Sequence, residues 1–282
     1  MKLPSDFQFS QASLQDFVDC RRRFLLRHIQ RLSWPALETE PVLEQEHFLQ
    51  QGAAFHRLAQ QFLLGIPASR LESMIHDPDL RGWWDHFMQV ASTLKDSADA
   101  AGWQLFPEIS LSIPMRDSRL VAKFDLLAVT PDHKMLIYDW KTSRNKPKRQ
   151  WLEARLQTRV YPYLLRRGGA SLNLGQPVLP EQVEMIYWFA FHPELEERFT
   201  YDANAHQADE AYLTNLVDTI HDLKEDDYHL TQDEKRCAFC VYRSLCNRGI
   251  SAGWVAEQDG EYTVENEIAL ELDFDQIAEI EF

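Results

Sequence analysis

The sequence predicts a mixed α/β fold whose central elements follow the order helix, three strands, helix, strand. Three strand-like segments lie close together in the middle of the chain, at residues 108–114, 120–129 and 134–140. Helical periodicity precedes and follows this group, and a further β-prone segment comes after the later helix. This order is typical of a sheet that carries helices on its faces.

The first hundred residues are predicted to be mainly helical. Ser10 can cap a helix over residues 11–29, in which apolar residues recur near the 3.6-residue period. A second helix is expected over residues 44–64, ending at Gly65 before a proline, and a third over about residues 79–101. We assign about residues 66–102 to a helical insertion before the sheet.

The strand segments differ in their patterns. Residues 108–114 alternate polar and apolar side chains, which predicts a half-buried strand. Residues 120–129 and 134–140 are predicted to pair as an antiparallel hairpin, because the turn-forming residues 130–133 separate them. The later elements are predicted to be a helix at residues 149–167, strands at residues 183–191 and 196–201, and a helix at residues 205–224.

The formal net charge of −15 is concentrated at the C-terminus. Residues 256–282 contain ten Asp or Glu and no Lys or Arg, so this acidic tail carries −10 and the other 255 residues carry −5 (−15 less −10). Basic residues are grouped at residues 21–31 and 144–149. The charge therefore does not exclude a nucleic-acid partner, although each basic group alone is also typical of a solvated helix or loop.

Membrane insertion and secretion are not indicated. No stretch approaches the roughly 18 uninterrupted apolar residues that span a bilayer, and the N-terminal MKLPSDFQFSQ lacks the apolar segment of a signal peptide. We therefore expect a cytoplasmic protein with no membrane partner. Disulfides are rare in that compartment, so metal binding or simple burial are the alternatives for the four cysteines.

The most informative residues lie at the end of the third strand segment. Asp139 and Lys141 are two residues apart, so in a strand they project from one face, with Trp140 on the other. Asp125 lies among apolar residues in the neighbouring segment, where a carboxylate needs a partner or a cation. The hairpin can bring the two carboxylates together, and a divalent cation would relieve their repulsion. This arrangement suits phosphodiester hydrolysis, whereas an isolated D-x-K triplet is more often a surface ion pair.

These residues resemble a known family. Asp125 followed by Asp139-Trp140-Lys141 is similar to the core of the PD-(D/E)xK nucleases, in the branch of RecB- and AddB-type domains and CRISPR-associated nucleases. GAAFH at residues 52–56, QTRVY at residues 157–161 and the segment at residues 13–24 are similar to further motifs of that branch. The similar segments together span residues 10–250.

The resemblance implies a fold and a domain organisation. The fold would be a restriction-endonuclease-like core, an α-β-β-β-α-β mixed sheet with helical N-terminal additions and a cysteine-rich C-terminal segment. One nuclease domain, closed by an iron–sulfur cluster, would occupy residues 1–255, and the acidic tail would follow it.

The resemblance also implies a set of metal ligands. His56, Asp125 and Asp139 would bind Mg²⁺ or Mn²⁺, with the Trp140 carbonyl as an additional ligand. Taken alone, His56 would more often be an ordinary surface or core histidine. Glu108 could add a carboxylate, although a Glu on an edge strand needs no special explanation.

The remaining catalytic residues come from the same resemblance. Lys141 would act on the attacking water or on the transition-state charge, and Gln157 and Tyr161, one helical turn apart, would contact the substrate or brace Lys141. The chain departs from the family at one place. Ala122 replaces the glycine that usually precedes the basic residue, which leaves the local backbone geometry open, and Lys123 takes the basic position.

The cysteines form a second constellation. Cys237, Cys240 and Cys246 have the spacing C-x₂-C-x₅-C, and Cys20 lies more than 200 residues earlier. A C-x₂-C pair can bind one metal, so Zn²⁺ is one alternative. The arrangement, with its remote N-terminal cysteine, resembles the [4Fe–4S] site of AddB-type and CRISPR-associated nucleases. Such a cluster would have a structural role, because it would hold the two ends of the domain together.

The resulting hypothesis is a metal-dependent DNA nuclease. The resemblance implies an exonuclease on single-stranded or frayed DNA, in DNA repair and recombination or in CRISPR-type defence. The sequence contains no Walker-type G-x-x-x-x-G-K-[ST], so a helicase or a defence-system protein would be a separate partner chain. Two alternatives stay open: a non-catalytic DNA-binding or assembly subunit on the same fold, and an iron–sulfur redox protein.

Overall fold

The computed structural model describes residues 3–4, 6–32, 40–251 and 253. The predicted acidic tail at residues 256–282 lies outside the described residues. In the described part of the chain, no helix is both long and apolar enough to cross a membrane.

The helices are numbered in chain order. They are α1 (Gln11–Asp19), α2 (Arg21–Phe24), α3 (Glu40–Leu63), α4 (Ala68–Glu72), α5 (Pro78–Ala101), α6 (Arg149–Ala154), α7 (Leu156–Gly168), α8 (Ala203–His221), α9 (Lys235–Ala238) and α10 (Arg243–Cys246). A π-helical turn follows α2 at Leu25–Ile29, and short 3₁₀ turns lie at Gly169–Leu172, Pro180–Gln182 and Glu225–Asp227.

The strands form two sheets. They are β1 (Gln8–Ser10), β2 (Gln104–Pro107), β3 (Ser110–Met115), β4 (Ser118–Lys123), β5 (Leu126–Val129), β6 (Met135–Lys141), β7 (Val183–Phe189) and β8 (Glu196–Thr200). The larger sheet has the order β2-β5-β6-β7-β8, and the smaller one has the order β1-β4-β3. In the larger sheet β6 and β7 are parallel and the other neighbours are antiparallel. The prediction of a mixed α/β fold is confirmed.

Helices cover both faces of the larger sheet. On β6, Met135 and Ile137 pack into a core shared with α1, α7 and α8. Leu136, Tyr138 and Trp140 point the other way, into a core shared with α3 and α5. Successive strand residues alternate between the faces, so nearly every residue of this strand is buried. Burial of each large side chain stabilises the fold by roughly 1.5–3 kcal/mol.

The predicted hairpin is present, because β5 pairs with β6 in antiparallel register from Val129↔Met135 to Leu126↔Tyr138. The prediction of one strand over residues 120–129 is wrong. This segment is divided into β4 and β5, which belong to different sheets, and β2 was not predicted. The sequence did not reveal the division because the alternation of buried and partly buried residues in β4 continues through Phe124, at the break.

Two predicted helices are interrupted. The helix expected over residues 11–29 ends at Asp19, because Cys20 has an extended backbone (φ −162°, ψ 109°). The helix expected over residues 149–167 is divided at Arg155 (φ −71°, ψ 143°), which separates α6 from α7. The helix expected over residues 79–101 corresponds to α5, where Asp77 caps the first turn by accepting a hydrogen bond from the Leu80 N–H at 3.0 Å.

Candidate active site

The site begins at the junction where the two sheets meet. Two antiparallel ladders, β2 with β5 and β3 with β4, join through backbone bonds from Glu108 N–H to the Asp125 carbonyl (3.0 Å) and from Phe124 N–H to the Ile109 carbonyl (2.9 Å). Glu108 takes a left-handed conformation there (φ 54°). The junction therefore sets Glu108 and Asp125 opposite each other, just outside the regular strands.

Asp125 is held by neighbours on both sides. Its Oδ2 accepts a hydrogen bond from the Trp140 N–H at 2.8 Å, which fixes the carboxylate against the end of β6. Its Oδ1 lies 3.2 Å from His56 Nδ1. Asp125 therefore contacts His56 through one carboxylate oxygen and the Trp140 N–H through the other.

His56 reaches this position because α3 approaches the end of β6 closely. A Cβ atom at Gly52, one turn before His56, would lie 3.1 Å from Thr142 Oγ1. That distance is tighter than most contacts, so a larger residue would require Thr142 or α3 to shift by a few tenths of an ångström. The glycine of the GAAFH segment therefore has a packing reason.

From the sequence alone, Glu108 was only an optional metal ligand. Ligand atoms of His56, Glu108 and Asp125 all lie within 4.8 Å of one another, and no other group of three or more His, Cys, Asp or Glu in the described part of the chain is so close. Carboxylate oxygens with one imidazole nitrogen suit Mg²⁺ or Mn²⁺. Glu108 also forms an ion pair with Lys123. Glu108 could have been recognised as a ligand only from its position opposite Asp125, where two strands are interrupted. That position depends on the register between the strands, which the sequence alone does not provide.

Asp139 and Lys141 project from the same face of β6 into a separate network. Lys141 Nζ lies 2.8 Å from Asp139 Oδ2 and donates to Gln157 Oε1 at 3.0 Å. The Gln157 amide nitrogen donates to Asp139 Oδ1, so each of the three side chains contacts the other two. Asp139 and Gln157 are both buried. The network keeps the ammonium and the carboxylate in one fixed arrangement.

The pKa values of the two aspartates are shifted in opposite directions. Burial raises the pKa of Asp139 to about 6, and the negative charge of Asp125 adds to this effect while Lys141 opposes it. Burial also acts to raise the pKa of Asp125, but His56, the Trp140 N–H and Lys141 together bring that pKa below its ordinary value. Two adjacent carboxylates therefore share their protons unequally, and a divalent cation would favour the ionised form of both.

Tyr161 lies behind this network. Its ring packs edge-on against Phe124 with centroids 5.0 Å apart, and the side chain is buried. Burial, followed by the charges of Asp139 and Asp125, raises the pKa of Tyr161 well above its ordinary value, so the hydroxyl stays neutral.

All four cysteines line one cavity, which brings Cys20 together with Cys237, Cys240 and Cys246. None of the four is in a disulfide. Burial, followed by the charges of Cys20 and Cys237, raises the pKa of Cys246. An ion pair of 2.8 Å between Arg236 and Asp19 joins the residues that precede Cys237 and Cys20.

Comparison with known proteins decides the family. The model of the PD-(D/E)XK nuclease superfamily matches residues 8–247, which is most of the chain and includes every residue of the site. The chain belongs to the PD-(D/E)XK nuclease superfamily. PD-(D/E)XK nucleases use divalent metal ions, and the group of His56, Glu108 and Asp125 offers suitable ligands.

Solved structures similar to this PD-(D/E)XK chain share little sequence with it. The crystal structure of SSO0001 is 12% identical, covers 86% of this chain and 87% of its own, and has a TM-score of 0.40. A protein described as "Putative exonuclease" from Eubacterium rectale is 12% identical, covers 86% of this chain and 89% of its own, and has a TM-score of 0.49. A search of curated proteins found no match.

Proposed function

We propose that this chain is a metal-dependent DNA nuclease. The observation that carries the proposal is the position of the buried ring of Asp139, Lys141 and Gln157 directly beside the candidate metal ligand Asp125. A cation site suits hydrolysis of a phosphodiester, because the metal can polarise the phosphate and activate water, and a lysine held beside it can stabilise the negative charge that develops. DNA is the substrate class that the superfamily implies.

The residues present fit a divalent cation. Glu108, Asp125 and His56 supply oxygen and nitrogen donors within reach of one centre, and Asp139 adds a third carboxylate, which is buried and repels Asp125. Mg²⁺ or Mn²⁺, when bound, would act as a Lewis acid toward the phosphate and the attacking water. We assign His56, Glu108 and Asp125 as ligands, with Asp139 and the Trp140 carbonyl as additional ones.

Lys141 would stabilise negative charge that develops on the phosphate. Only 12% of the Lys141 side chain is exposed, so water screens its charge little. Gln157 fixes the ammonium by accepting from it, and Asp139 lies on the other side. The neutral Tyr161 hydroxyl closes the buried side of the site, which excludes water from behind the network.

We further propose an exonuclease that prefers single-stranded DNA or frayed ends. The segment after β6 carries Arg144 and Lys148, which are exposed and have no carboxylate partner among the described residues. The Lys148 ammonium lies 4.8 Å from the ring centroid of Trp151, which is partly exposed. A cation beside an aromatic ring supports phosphate contact together with base stacking. A separate helicase or defence-system protein would supply the DNA ends.

For the cysteines we propose a [4Fe–4S] cluster, with Zn²⁺ as the alternative. Four cysteines around a tetrahedral zinc have sulfur–sulfur distances of about 3.8 Å, given Zn–S bonds of about 2.3 Å. No three cysteine sulfurs among the described residues lie within 4.8 Å of one another. This wider spacing in one shared cavity favours a larger group. The cluster would close a nuclease domain over residues 1–255, with the helical insertion at about 66–102.

The test compares linear and circular single-stranded DNA with Mn²⁺ or Mg²⁺. We expect metal-dependent degradation of the linear strand, while the circle, which has no end, stays intact. Cleavage of both DNAs would support the nuclease assignment and exclude a purely exonucleolytic activity. Cleavage of neither by folded, metal-loaded protein would favour the non-catalytic DNA-binding subunit.

A further inference from the structure

Each carboxylate of the candidate site is paired with a basic side chain of the chain itself. Asp139 contacts Lys141, Asp125 contacts His56, and Glu108 contacts Lys123. The first pair lies within a buried network, but the third lies at the edge of the site, where 31% of the Lys123 side chain is exposed. Burial lowers the pKa of Lys123, and the charge of Asp125 opposes this effect.

The Glu108 carboxylate cannot bind a divalent cation and keep its ion pair with Lys123 at the same time. It belongs to the group whose ligand atoms lie within 4.8 Å of one another, and it is also the partner of the Lys123 ammonium. A divalent cation bound by this group would stand close to a positively charged ammonium. Like charges at such a distance repel strongly where water screens them poorly. The two cations therefore compete for Glu108.

We propose that Lys123 is an internal counter-ion of Glu108, which a bound divalent cation displaces, and that the released ammonium then binds a phosphate of the DNA. The inference rests on the proposed nuclease function. When Glu108 and Asp125 both bind the cation, Lys123 loses its anionic partner, and DNA is the anion that arrives at the site. Metal binding and substrate binding would thereby be coupled through one side chain.

The position and type of the residue suit this exchange. Lys123 is the last residue of β4, two positions before Asp125, and its flexible four-carbon stem can redirect the ammonium without movement of the strand. The competing explanation is a permanent ion pair that braces the junction between the sheets. The two explanations predict opposite effects on metal affinity when Lys123 is replaced.

The first experiment titrates Mn²⁺ calorimetrically into DNA-free protein. We expect Lys123→Met to bind Mn²⁺ about fivefold more tightly than the wild type, because Glu108 no longer has to leave its ion pair with Lys123. Lys123→Arg keeps the competing charge, and Lys224→Met changes an exposed lysine elsewhere, so both should stay within about twofold of the wild type. Unchanged or weaker Mn²⁺ binding by Lys123→Met would overturn the proposed exchange and favour a permanent ion pair that stabilises the junction between the sheets.

The second experiment measures binding of a single-stranded oligonucleotide by fluorescence anisotropy, in a Lys141→Ala background that prevents cleavage. Mn²⁺ should tighten DNA binding, and Lys123→Met should remove most of that gain while leaving binding without metal nearly unchanged. An equal gain in both proteins would overturn the phosphate contact. Asp125→Asn distinguishes failure of the proposed metal site from failure of the Lys123 exchange. If the wild type binds Mn²⁺ no better than Asp125→Asn, the proposed nuclease site is wrong, and the inference about Lys123 is wrong with it.

Discussion

Two aspartates in one site show how surroundings set the behaviour of a residue. Asp125 accepts a hydrogen bond from a backbone N–H and contacts His56, so its pKa is lowered. Asp139 is enclosed more deeply, and burial raises its pKa to about 6 even though Lys141 is adjacent. Opposed pKa shifts in adjacent titratable groups are typical of functional sites. The pattern is therefore consistent with an active centre.

The raised pKa of Asp139 predicts a pH dependence of stability in the metal-free protein. Because this pKa lies above the unfolded value of 3.8, the folded state holds the proton more tightly, and stability falls as the pH rises from about 4 to about 6. Asp139→Asn lacks this loss. Its free energy of unfolding, relative to the wild type, should rise by about 1–3 kcal/mol between pH 4.5 and pH 7.5.

Urea unfolding at the two pH values, with a chelator present, measures this difference. Asp99→Asn, an exposed position on α5, is the matched control and should show no such change. A wild-type-minus-variant difference for Asp139→Asn that is independent of pH would contradict the assignment.

At the scale of elements, the site depends on places where regular structure stops. Glu108 and Asp125 lie at the junction between two ladders, and the break at Arg155 begins α7 just before Gln157. Gly52 lets α3 approach the end of β6. These interruptions direct side chains from separate elements into one small volume.

Gly52 and Gly82 provide a matched pair for testing the approach of α3. A Cβ at Gly82 on α5 meets nothing within 4 Å, whereas one at Gly52 would lie 3.1 Å from Thr142 Oγ1. Gly82→Ala should raise the free energy of unfolding by about 0.5–1 kcal/mol, the usual gain in a helix. Gly52→Ala should show no such gain and should weaken Mn²⁺ binding, since His56 moves with the helix.

Calorimetric Mn²⁺ titration and chemical unfolding of the two variants decide the matter. If Gly52→Ala gains as much stability as Gly82→Ala and binds Mn²⁺ like the wild type, the close approach has no functional consequence.

Local patterns predicted some elements well and others poorly. Alternation placed Asp139 and Lys141 on one face of β6, since a strand residue's orientation depends only on its parity. The division of residues 120–129 is not visible in the sequence, because the pattern of burial continues through Phe124. What changes there is the set of strands that the segment pairs with. The pairing of Glu108 with Asp125 depends on that partner, so one segment's pattern could not reveal it.

At the scale of the whole molecule, the two ends of the described chain meet at the cysteine cavity. The Arg22 N–H donates to the His229 carbonyl at 3.2 Å, and Arg236 pairs with Asp19. Sequence spacing indicated a metal site for three of the cysteines. The participation of Cys20 was inferred from family resemblance alone, because a contact across more than 200 residues leaves no periodic signal.

A cluster that joins these ends should contribute to stability. We expect Cys20→Ala, purified without oxygen, to lose most of its iron and to melt about 5 °C or more below the wild type. Val18→Ala changes an exposed side chain on α1, the helix that ends just before Cys20, and should keep both properties. Iron and zinc analysis with thermal unfolding measures the outcome. An unchanged melting temperature would contradict the structural role, and stoichiometric zinc would replace the iron–sulfur assignment.

We propose that Lys141 acts in a metal-dependent nuclease site. The most direct test of this proposal is single-turnover cleavage of end-labelled single-stranded DNA with Mn²⁺ by the wild type, Lys141→Ala and the exposed-site control Lys224→Ala. We predict that Lys141→Ala is slower by about 100-fold or more, as for removal of one charge-stabilising group, while Lys224→Ala keeps the wild-type rate. Equal rates for all three proteins would contradict the claim and point to a site elsewhere or to a contaminating nuclease.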